Sequence, residues 1–82
     1  MPDRRKSSAI LGQELCRKRK EAGLSQETVA FEAQLDRTYI SHLENGHKSP
    51  TVDVLLRICR ALGISAGQIV THVVRSLEAR RK

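Results

Sequence analysis

The sequence predicts an all-α domain built from five short helices. Its apolar residues are mainly Leu, Ile, Val and Ala, with a single Phe and a single Tyr, which favours packed helices over a sheet-based core. Apolar positions recur every three or four residues in successive stretches, the repeat of one helix face. Residues that cap helices, such as Ser25, Asp36, Thr51 and Gly63, separate these stretches. Eighty-two residues are enough for one small domain.

Residues 25–46 hold two of these helices, joined by a very short turn. Ser25 caps the first helix and Asp36 caps the second, residues 37–44, so only Gln34 and Leu35 separate them. This connection is too short for an antiparallel hairpin and fits the sharply angled pair of a helix-turn-helix. The small Ala30 allows the second helix to cross close to the first. The predicted buried positions are Val29, Ala30, Ala33, Ile40 and Leu43, with Tyr39 a further candidate.

The flanking segments complete the five helices. Ser7 or Ser8 can cap helix 1, which Gly23 ends, and Ser65 opens a capping box for helix 5. Helix 4 follows Thr51 and carries the widest apolar face, which consists of Val52, Leu55, Leu56, Ile58, Cys59 and Leu62. The predicted organisation is a basic arm over residues 1–7, one domain over 8–78 and a basic tail over 79–82. The arm either reaches around a partner or is a frayed, solvated terminus.

The paired helices resemble the helix-turn-helix of the Cro/C1-type (XRE) phage-repressor family. The resemblance rests on Leu24-Ser25-Gln26-Glu27, Ala30, Leu35, Tyr39-Ile40-Ser41 and Leu43-Glu44-Asn45-Gly46, and it extends from Leu11-Gly12 to Leu62-Gly63-Ile64-Ser65. Within that family, residues 35–41 are similar to the recognition helix of restriction–modification controller proteins. The resemblance implies a five-helix lambda-repressor-like fold with the helix-turn-helix at helices 2 and 3. Gln34 stands where the family usually has a glycine in the left-handed conformation. A non-glycine residue in that conformation should destabilise the fold by about 1 kcal/mol or somewhat more.

The resemblance also implies DNA-binding roles. With Ile40 and Leu43 buried, the helical repeat turns Arg37, Thr38, Ser41 and His42 outward to read bases in the major groove. Gln26, at the start of helix 2, matches a residue that contacts DNA and braces the recognition helix. Asn45 and Lys48 follow the reader, where they can touch the sugar-phosphate backbone, or Lys48 is simply solvated. Tyr39 either bonds a phosphate or only packs. Arg19 and Glu44 match a structural ion pair of the family.

Helix 5 carries an apolar stripe that looks wider than one small core needs. Its members are Ile69, Val70, Val73, Val74 and Leu77. We expect part of this stripe to form a homodimer contact, as the family often pairs, although a fully intramolecular stripe is the alternative. The expected function is a transcriptional repressor or related regulator that binds double-stranded DNA at a palindromic operator as a homodimer. The competing interpretation is a protein-interaction module, such as an antitoxin, which would use the same stripe to bind a different protein.

The composition of the chain indicates which other classes of function are expected and which are not. Fifteen Lys and Arg against nine Asp and Glu give a net charge of +6, which suits a polyanion, although a solvated basic face explains it equally simply. The sequence offers no paired carboxylates, nucleophile–base set, phosphate-binding glycine loop or metal-ligand spacing. We therefore expect that the protein is not an enzyme and binds no cofactor or metal. Cys16 and Cys59 are predicted to be free thiols, with a disulfide the alternative. We expect a cytoplasmic protein with no membrane partner and no small-molecule effector.

Overall fold

Five α-helices make up the part of the chain that the computed structural model describes, residues 4–80. They span Arg4–Glu21 (α1), Gln26–Ala33 (α2), Arg37–Glu44 (α3), Val52–Leu62 (α4) and Ala66–Arg80 (α5). No strand occurs in this range. The all-α, five-helix prediction is therefore confirmed.

One aliphatic core lies between the helices. α2 packs against α3 and α4, while α1 packs against α3 and α5. Ala30 and Ala33 are 3% and 2% exposed, so small side chains let α2 approach its neighbours closely. The core consists of Leu15, Val29, Ala30, Ala33, Ile40, Leu43, Leu55, Ile58, Cys59, Leu62 and Ile69. Burial of these side chains supplies the main favourable term in folding.

Side-chain caps begin α2, α3 and α4 as predicted. The Ser25 hydroxyl accepts from the Thr28 N–H at 3.0 Å, and the Asp36 carboxylate accepts from the Thr38 N–H at 2.8 Å. Thr51 caps α4 in the same way. These bonds satisfy amide groups that have no partner within the first turn of a helix. Each cap helps to place the start of its helix at a defined residue.

The turn of the helix-turn-helix has the left-handed residue that the sequence predicts. Gln34 has φ 58° and ψ 46°, and it is the non-glycine residue with positive φ in the described chain. The Leu35 N–H donates to the Ala30 carbonyl at 2.8 Å, which closes the end of α2. Asp36 then caps α3, which begins at Arg37 after a connection of three residues, 34–36.

Gly12 lets α1 cross the end of α3 at backbone contact. A Cβ atom at this position would lie 2.1 Å from the Leu43 carbonyl oxygen and 2.9 Å from that of Glu44. Since real Cβ atoms do not approach so closely, any larger residue must push the two helices apart. Gly12 therefore sets how the last turn of α3 sits against α1.

The start of α1 differs from the prediction. The helix begins at Arg4, so residues 4–7 of the predicted arm are helical, and Ser8 is buried instead of serving as an N-cap. The Ser8 hydroxyl lies 3.1 Å from that of Ser49 in the loop after α3, and this tertiary contact supports the early turns of α1. Residues 1–3 of the arm lie outside the described residues. At the other end, residues 79 and 80 of the predicted tail belong to α5, and residues 81 and 82 are also outside that range.

The apolar face of α4 is narrower than predicted. Leu55, Ile58 and Cys59 are buried, but Val52 is 74% exposed and Leu56 is 52% exposed. These two residues lie one turn apart on a flank of α4 that the other helices leave uncovered, because the neighbours of α4 fill only the opposite side.

No single helix within residues 4–80 is both long enough and apolar enough to cross a membrane. α4 and α5 pass the same test of length and composition only when they are taken together, and they are bent by 112° at their break.

Candidate nucleic-acid interface

α3 presents a polar face to solvent. Ile40 and Leu43 are each 2% exposed and attach the helix to the core. The opposite face carries the four residues predicted to read bases, of which two are exposed and two are half-buried: Arg37, Thr38, Ser41 and His42. The structure thus brings these four residues together on the solvent side of one α-helix, the kind of element that a major groove admits.

Arg37 makes one weak intramolecular contact. Its Nε lies 3.5 Å from a Glu27 carboxylate oxygen, and the two side chains are 60% and 69% exposed. Ion pairs at such exposed positions contribute little to stability. Arg37 can therefore leave Glu27 and turn towards a base or a phosphate at small cost.

The far end of α3 is held by a buried polar network that joins three helices. Arg19 of α1 donates two hydrogen bonds to the Glu44 carboxylate, at 2.6 and 3.0 Å, and a third to the Leu24 carbonyl at 2.8 Å. Gln26 of α2 donates its side-chain amide to the same carboxylate at 3.0 Å. The Arg19 and Glu44 side chains are only 11% and 8% exposed. The ion pair expected from the resemblance is present, and the network fixes α3 relative to the start of α2.

The opposite charges of Arg19 and Glu44 offset the cost of burying each group in its ionised form. Burial alone would raise the pKa of Glu44, but hydrogen bonds from Arg19, Gln26 and Cys16 outweigh it and hold that pKa below its ordinary value. The hydrogen bond to Glu44 raises the pKa of Arg19. Both groups therefore stay ionised at neutral pH. The sequence did not indicate that Cys16 belongs to this cluster; both Cys16 and Cys59 are free thiols, as predicted.

The candidate backbone contacts surround this reader. Gln26 is half-buried at the first position of α2, with its amide nitrogen already used by Glu44. The Asn45 amide donates to the Ser41 carbonyl at 2.9 Å, so this residue also closes the last turn of α3, a role that the sequence prediction missed. Lys48 is exposed, and its Nζ lies 5.8 Å from the centroid of the half-buried Tyr39 ring. Gln26, Asn45 and Lys48 lie at the C-terminal end of α3, and Tyr39 lies within the helix beside Lys48, so backbone contacts would lie next to base contacts.

A second histidine lies beside the reader. The ring centroids of His42 and His47 are 6.0 Å apart, and the ring planes make an angle of 63°. His47 is exposed in the loop after α3. Sequence reasoning left it without a role, because the folding of this loop onto α3 is a tertiary feature.

No group of three or more His, Cys, Asp or Glu side chains within the described residues is arranged to hold a metal ion.

Comparison with known proteins identifies the family to which this chain belongs. Residues 17–69 match the helix-turn-helix family, and this range contains both helices of the pair and most of the core. The chain belongs to the XRE-type helix-turn-helix family. It is 39% identical over 62 residues to an HTH-type transcriptional regulator, y4dJ, of Sinorhizobium fredii, a match that covers 76% of this chain and 80% of that protein.

Two solved structures show the same helix-turn-helix architecture. The restriction–modification controller protein C.AhdI from Aeromonas hydrophila matches 76% of this chain and 94% of its own, with 35% identity and a TM-score of 0.74. The controller protein C.Esp1396I, as a tetramer in complex with its natural 35-base-pair operator, matches 84% of this chain and 91% of its own, with 28% identity and a TM-score of 0.75. The predicted resemblance to the XRE family and its controller proteins is therefore confirmed.

In this helix-turn-helix protein, α5 leaves an apolar strip in solvent. Val70 and Val74 are each 47% exposed, and Val73 and Leu77 are half-buried. Ile69, which the sequence assigned to a dimer contact, is instead 2% exposed and belongs to the core. The reason is geometric: Ile69 points to the side of α5 that packs on the domain, whereas Val70 and Val74 lie on one flank of the helix.

α5 is also tied to α1 by a buried carboxylate that the sequence did not single out. Glu14 is 6% exposed and accepts two hydrogen bonds from Arg17, at 2.9 and 2.6 Å. His72 of α5 lies 3.6 Å from the same carboxylate. The hydrogen bond from Arg17 holds the pKa of Glu14 below its ordinary value despite burial. Arg17 is half exposed, yet it therefore has a buried structural partner.

Proposed function

We propose that this protein is a cytoplasmic, sequence-specific DNA-binding regulator of transcription that acts as a homodimer on a palindromic operator. Its specific role would be that of an autoregulatory controller of restriction–modification genes. The observation that carries the proposal is the outward polar face of α3, which is anchored to α1 and α2 through the Arg19–Glu44–Gln26 network. A reader held in this way keeps its orientation when it enters a groove.

The residues divide into two roles. Arg37 and Thr38 lie in the first turn of α3, the part of a recognition helix that reaches base edges, and Ser41 and His42 continue this face. Phosphate contacts from the surrounding residues would set the register and supply sequence-independent affinity; these residues are Gln26, Tyr39, Asn45 and Lys48. Base contacts would then distinguish one duplex from another.

A two-fold dimer supplies the second reader. The exposed flank of α5, with Val70 and Val74 at its centre, offers an apolar surface for the partner copy. A symmetric dimer places its two recognition helices about one DNA turn apart, roughly 34 Å, on a palindromic site. The similarity to C.Esp1396I, which occupies its operator as a tetramer, supports an oligomeric arrangement on DNA.

Selection followed by fluorescence anisotropy tests this proposal. The purified chain would select duplexes from a random pool, and the selected duplex and a scrambled duplex of equal length would be titrated at several salt concentrations. We expect the selected sequence to be palindromic and to bind about a thousandfold or more tightly than the scrambled one at physiological salt.

Equal and steeply salt-dependent binding to both duplexes would contradict the proposal, since it would show only a basic domain on phosphate. A chain that selects no sequence and is monomeric would favour the protein-interaction module.

A further inference from the structure

The loop after α3 folds back along one edge of the reader helix. Lys48 lies over the Tyr39 ring, and the His47 ring lies beside the His42 ring, 6.0 Å away. Tyr39 and His42 are three residues apart and so occupy the same side of α3. These four residues, Tyr39, His42, His47 and Lys48, form one strip, named here the His/Lys edge.

The His/Lys edge adjoins the base-reading face and is open to solvent. His47 and Lys48 are exposed, and the half-buried His42 belongs both to this edge and to the outward face of α3. A DNA backbone that runs past the end of the reader would therefore lie against both imidazoles. Phosphate oxygens would be their nearest anions in such a complex.

The free protein offers little negative charge to these imidazoles. Glu44 is the one acidic residue of α3, and its carboxylate already accepts hydrogen bonds from Arg19 of α1 and Gln26 of α2. At this loop α1 presents the uncharged residues Ser8 and Ala9. Lys48 is the neighbouring charge on the loop itself, and its sign opposes a second cation. Among the side chains of residues 6–79, no carboxylate oxygen lies within 4.0 Å of a nitrogen of either ring.

We propose that His42 and His47 form a proton-linked phosphate contact, in which DNA binding draws a proton onto the pair. This inference rests on the proposed function and adds His47 to the DNA-contact residues. A positive imidazole gains a phosphate partner only in the complex, so binding and protonation favour each other. Two rings 6.0 Å apart repel when both are charged, so one proton per protomer is expected.

The sign of the pH dependence follows from this linkage. The complex holds the proton more tightly than the free protein does, so the added affinity is complete at low pH and is lost as pH rises through the range in which histidine titrates in the complex. Histidine changes its charge between about pH 5 and 8. DNA affinity should therefore increase on acidification, by up to about tenfold per pH unit for each proton taken up.

Fluorescence anisotropy at constant ionic strength, from pH 5.5 to 8.5, tests the linkage with the duplex that the protein selects. His47→Gln and His42→Gln replace the imidazole by an amide that takes up no proton and keep a polar side chain of similar size. His72→Gln is the matched control, since His72 lies on α5 beside Glu14. We expect the pH slope to persist in His72→Gln and to be reduced or lost in His47→Gln.

A wild-type affinity that does not change with pH would overturn the inference, as would a His47→Gln variant that keeps the full slope. Calorimetry in buffers of different ionisation enthalpy gives an independent count of protons taken up. If the chain selects no sequence, the proposed function fails, and a random duplex at low salt then tests the edge as a phosphate contact. If it selects a sequence but takes up no proton, only this inference fails.

Discussion

Arg37 and Lys48 are both exposed cations near α3, but they differ in what they can reach. Arg37 stands in the first turn of the reader, while Lys48 lies in the loop beyond its end. A guanidinium can bond two acceptors on a guanine edge, whereas a loop ammonium meets the phosphate backbone as a point charge. Two residues of the same sign should therefore contribute differently to recognition.

Replacing each cation by alanine separates these contributions. We expect Arg37→Ala to cost about 1–3 kcal/mol on the selected duplex and less on a scrambled one, because it removes a base contact. Lys48→Ala should weaken both duplexes alike and reduce the salt slope by about one. Anisotropy titrations of both variants at several salt concentrations provide the measurement. Equal losses of affinity on both duplexes for both variants would contradict the assignment of Arg37 to a base and of Lys48 to the phosphate backbone.

Gln34 is a second residue whose effect can be isolated. Its left-handed conformation, φ 58°, is one that a side chain with a Cβ adopts at a cost. Gln34→Gly should stabilise the domain by up to about 1 kcal/mol, because the relief of strain exceeds the added freedom of the unfolded chain. Urea unfolding measures the change. Gln34→Ala retains the strain and is the control; a glycine variant no more stable than the alanine variant would show that this turn is not strained.

At the scale of elements, α3 depends on α1 for its position. Gly12 allows the two backbones to touch, and the Arg19–Glu44 pair holds the last turn of α3 from the side. A buried pair of this kind gives no assurance of large net stability, because both charges pay for desolvation. Removing one partner is different, since the other charge then remains buried without compensation.

We therefore expect Arg19→Ala to destabilise the domain by about 3–5 kcal/mol. Arg57→Ala is the matched control: Arg57 lies 3.6 Å from Asp53, which is 81% exposed, so its loss should cost under about 1 kcal/mol. Chemical unfolding of the two variants gives the comparison. Similar small losses in both would mean that Glu44 finds water or another partner once Arg19 is gone.

The same pair predicts an acid dependence of stability. Because folding lowers the pKa of Glu44 from its ordinary value of 4.5, the stabilisation is present above that value and is lost as pH falls through the folded-state pKa. Glu44→Gln should therefore lose less stability than the wild type on acidification below pH 4.5. Glu14 acts in the same direction, so part of the acid dependence should remain in this variant. Unfolding midpoints measured from pH 3 to 7 would reveal an unchanged acid slope if this assignment is wrong.

At the scale of the whole molecule, exposed apolar side chains occur on three helices. Phe31 on α2 is 84% exposed, Val52 and Leu56 extend from α4, and Val70 and Val74 form the flank of α5. The proposed dimer interface covers the flank of α5, with Val70 and Val74. An interface of this kind determines whether two readers act on one operator, because a single α3 contacts only one half-site.

Val74→Glu should separate the dimer, since the symmetric interface would bury two unpaired carboxylates. We expect a loss of at least about 3 kcal/mol, more than a hundredfold in the dimer dissociation constant. Sedimentation velocity gives the oligomeric state, and anisotropy on the palindromic duplex gives the consequence for binding. Phe31→Glu makes the same chemical change at another exposed apolar site and should remain dimeric. A dimer that survives Val74→Glu, or is lost in Phe31→Glu, would move the interface away from α5.

The amino-acid sequence by itself determined the local features of this protein. Helical periodicity and the caps at Ser25, Asp36 and Thr51 predict the helices, because these signals depend on residues only a few positions apart. The same periodicity predicts which side of α3 faces outward once Ile40 and Leu43 are taken as buried. The Arg19–Glu44 pair, although distant along the chain, was identified through the family resemblance.

Only the tertiary structure decided which surfaces meet. It begins α1 at Arg4 and places Ser8 against the loop after α3, and it puts Ile69 in the core while leaving Val70 and Val74 exposed. It also brings His47 to His42 and places His72 of α5 beside the buried Glu14. These features depend on how helices and loops pack, and periodicity within one helix gives the direction of a side chain without identifying the neighbour that it will meet.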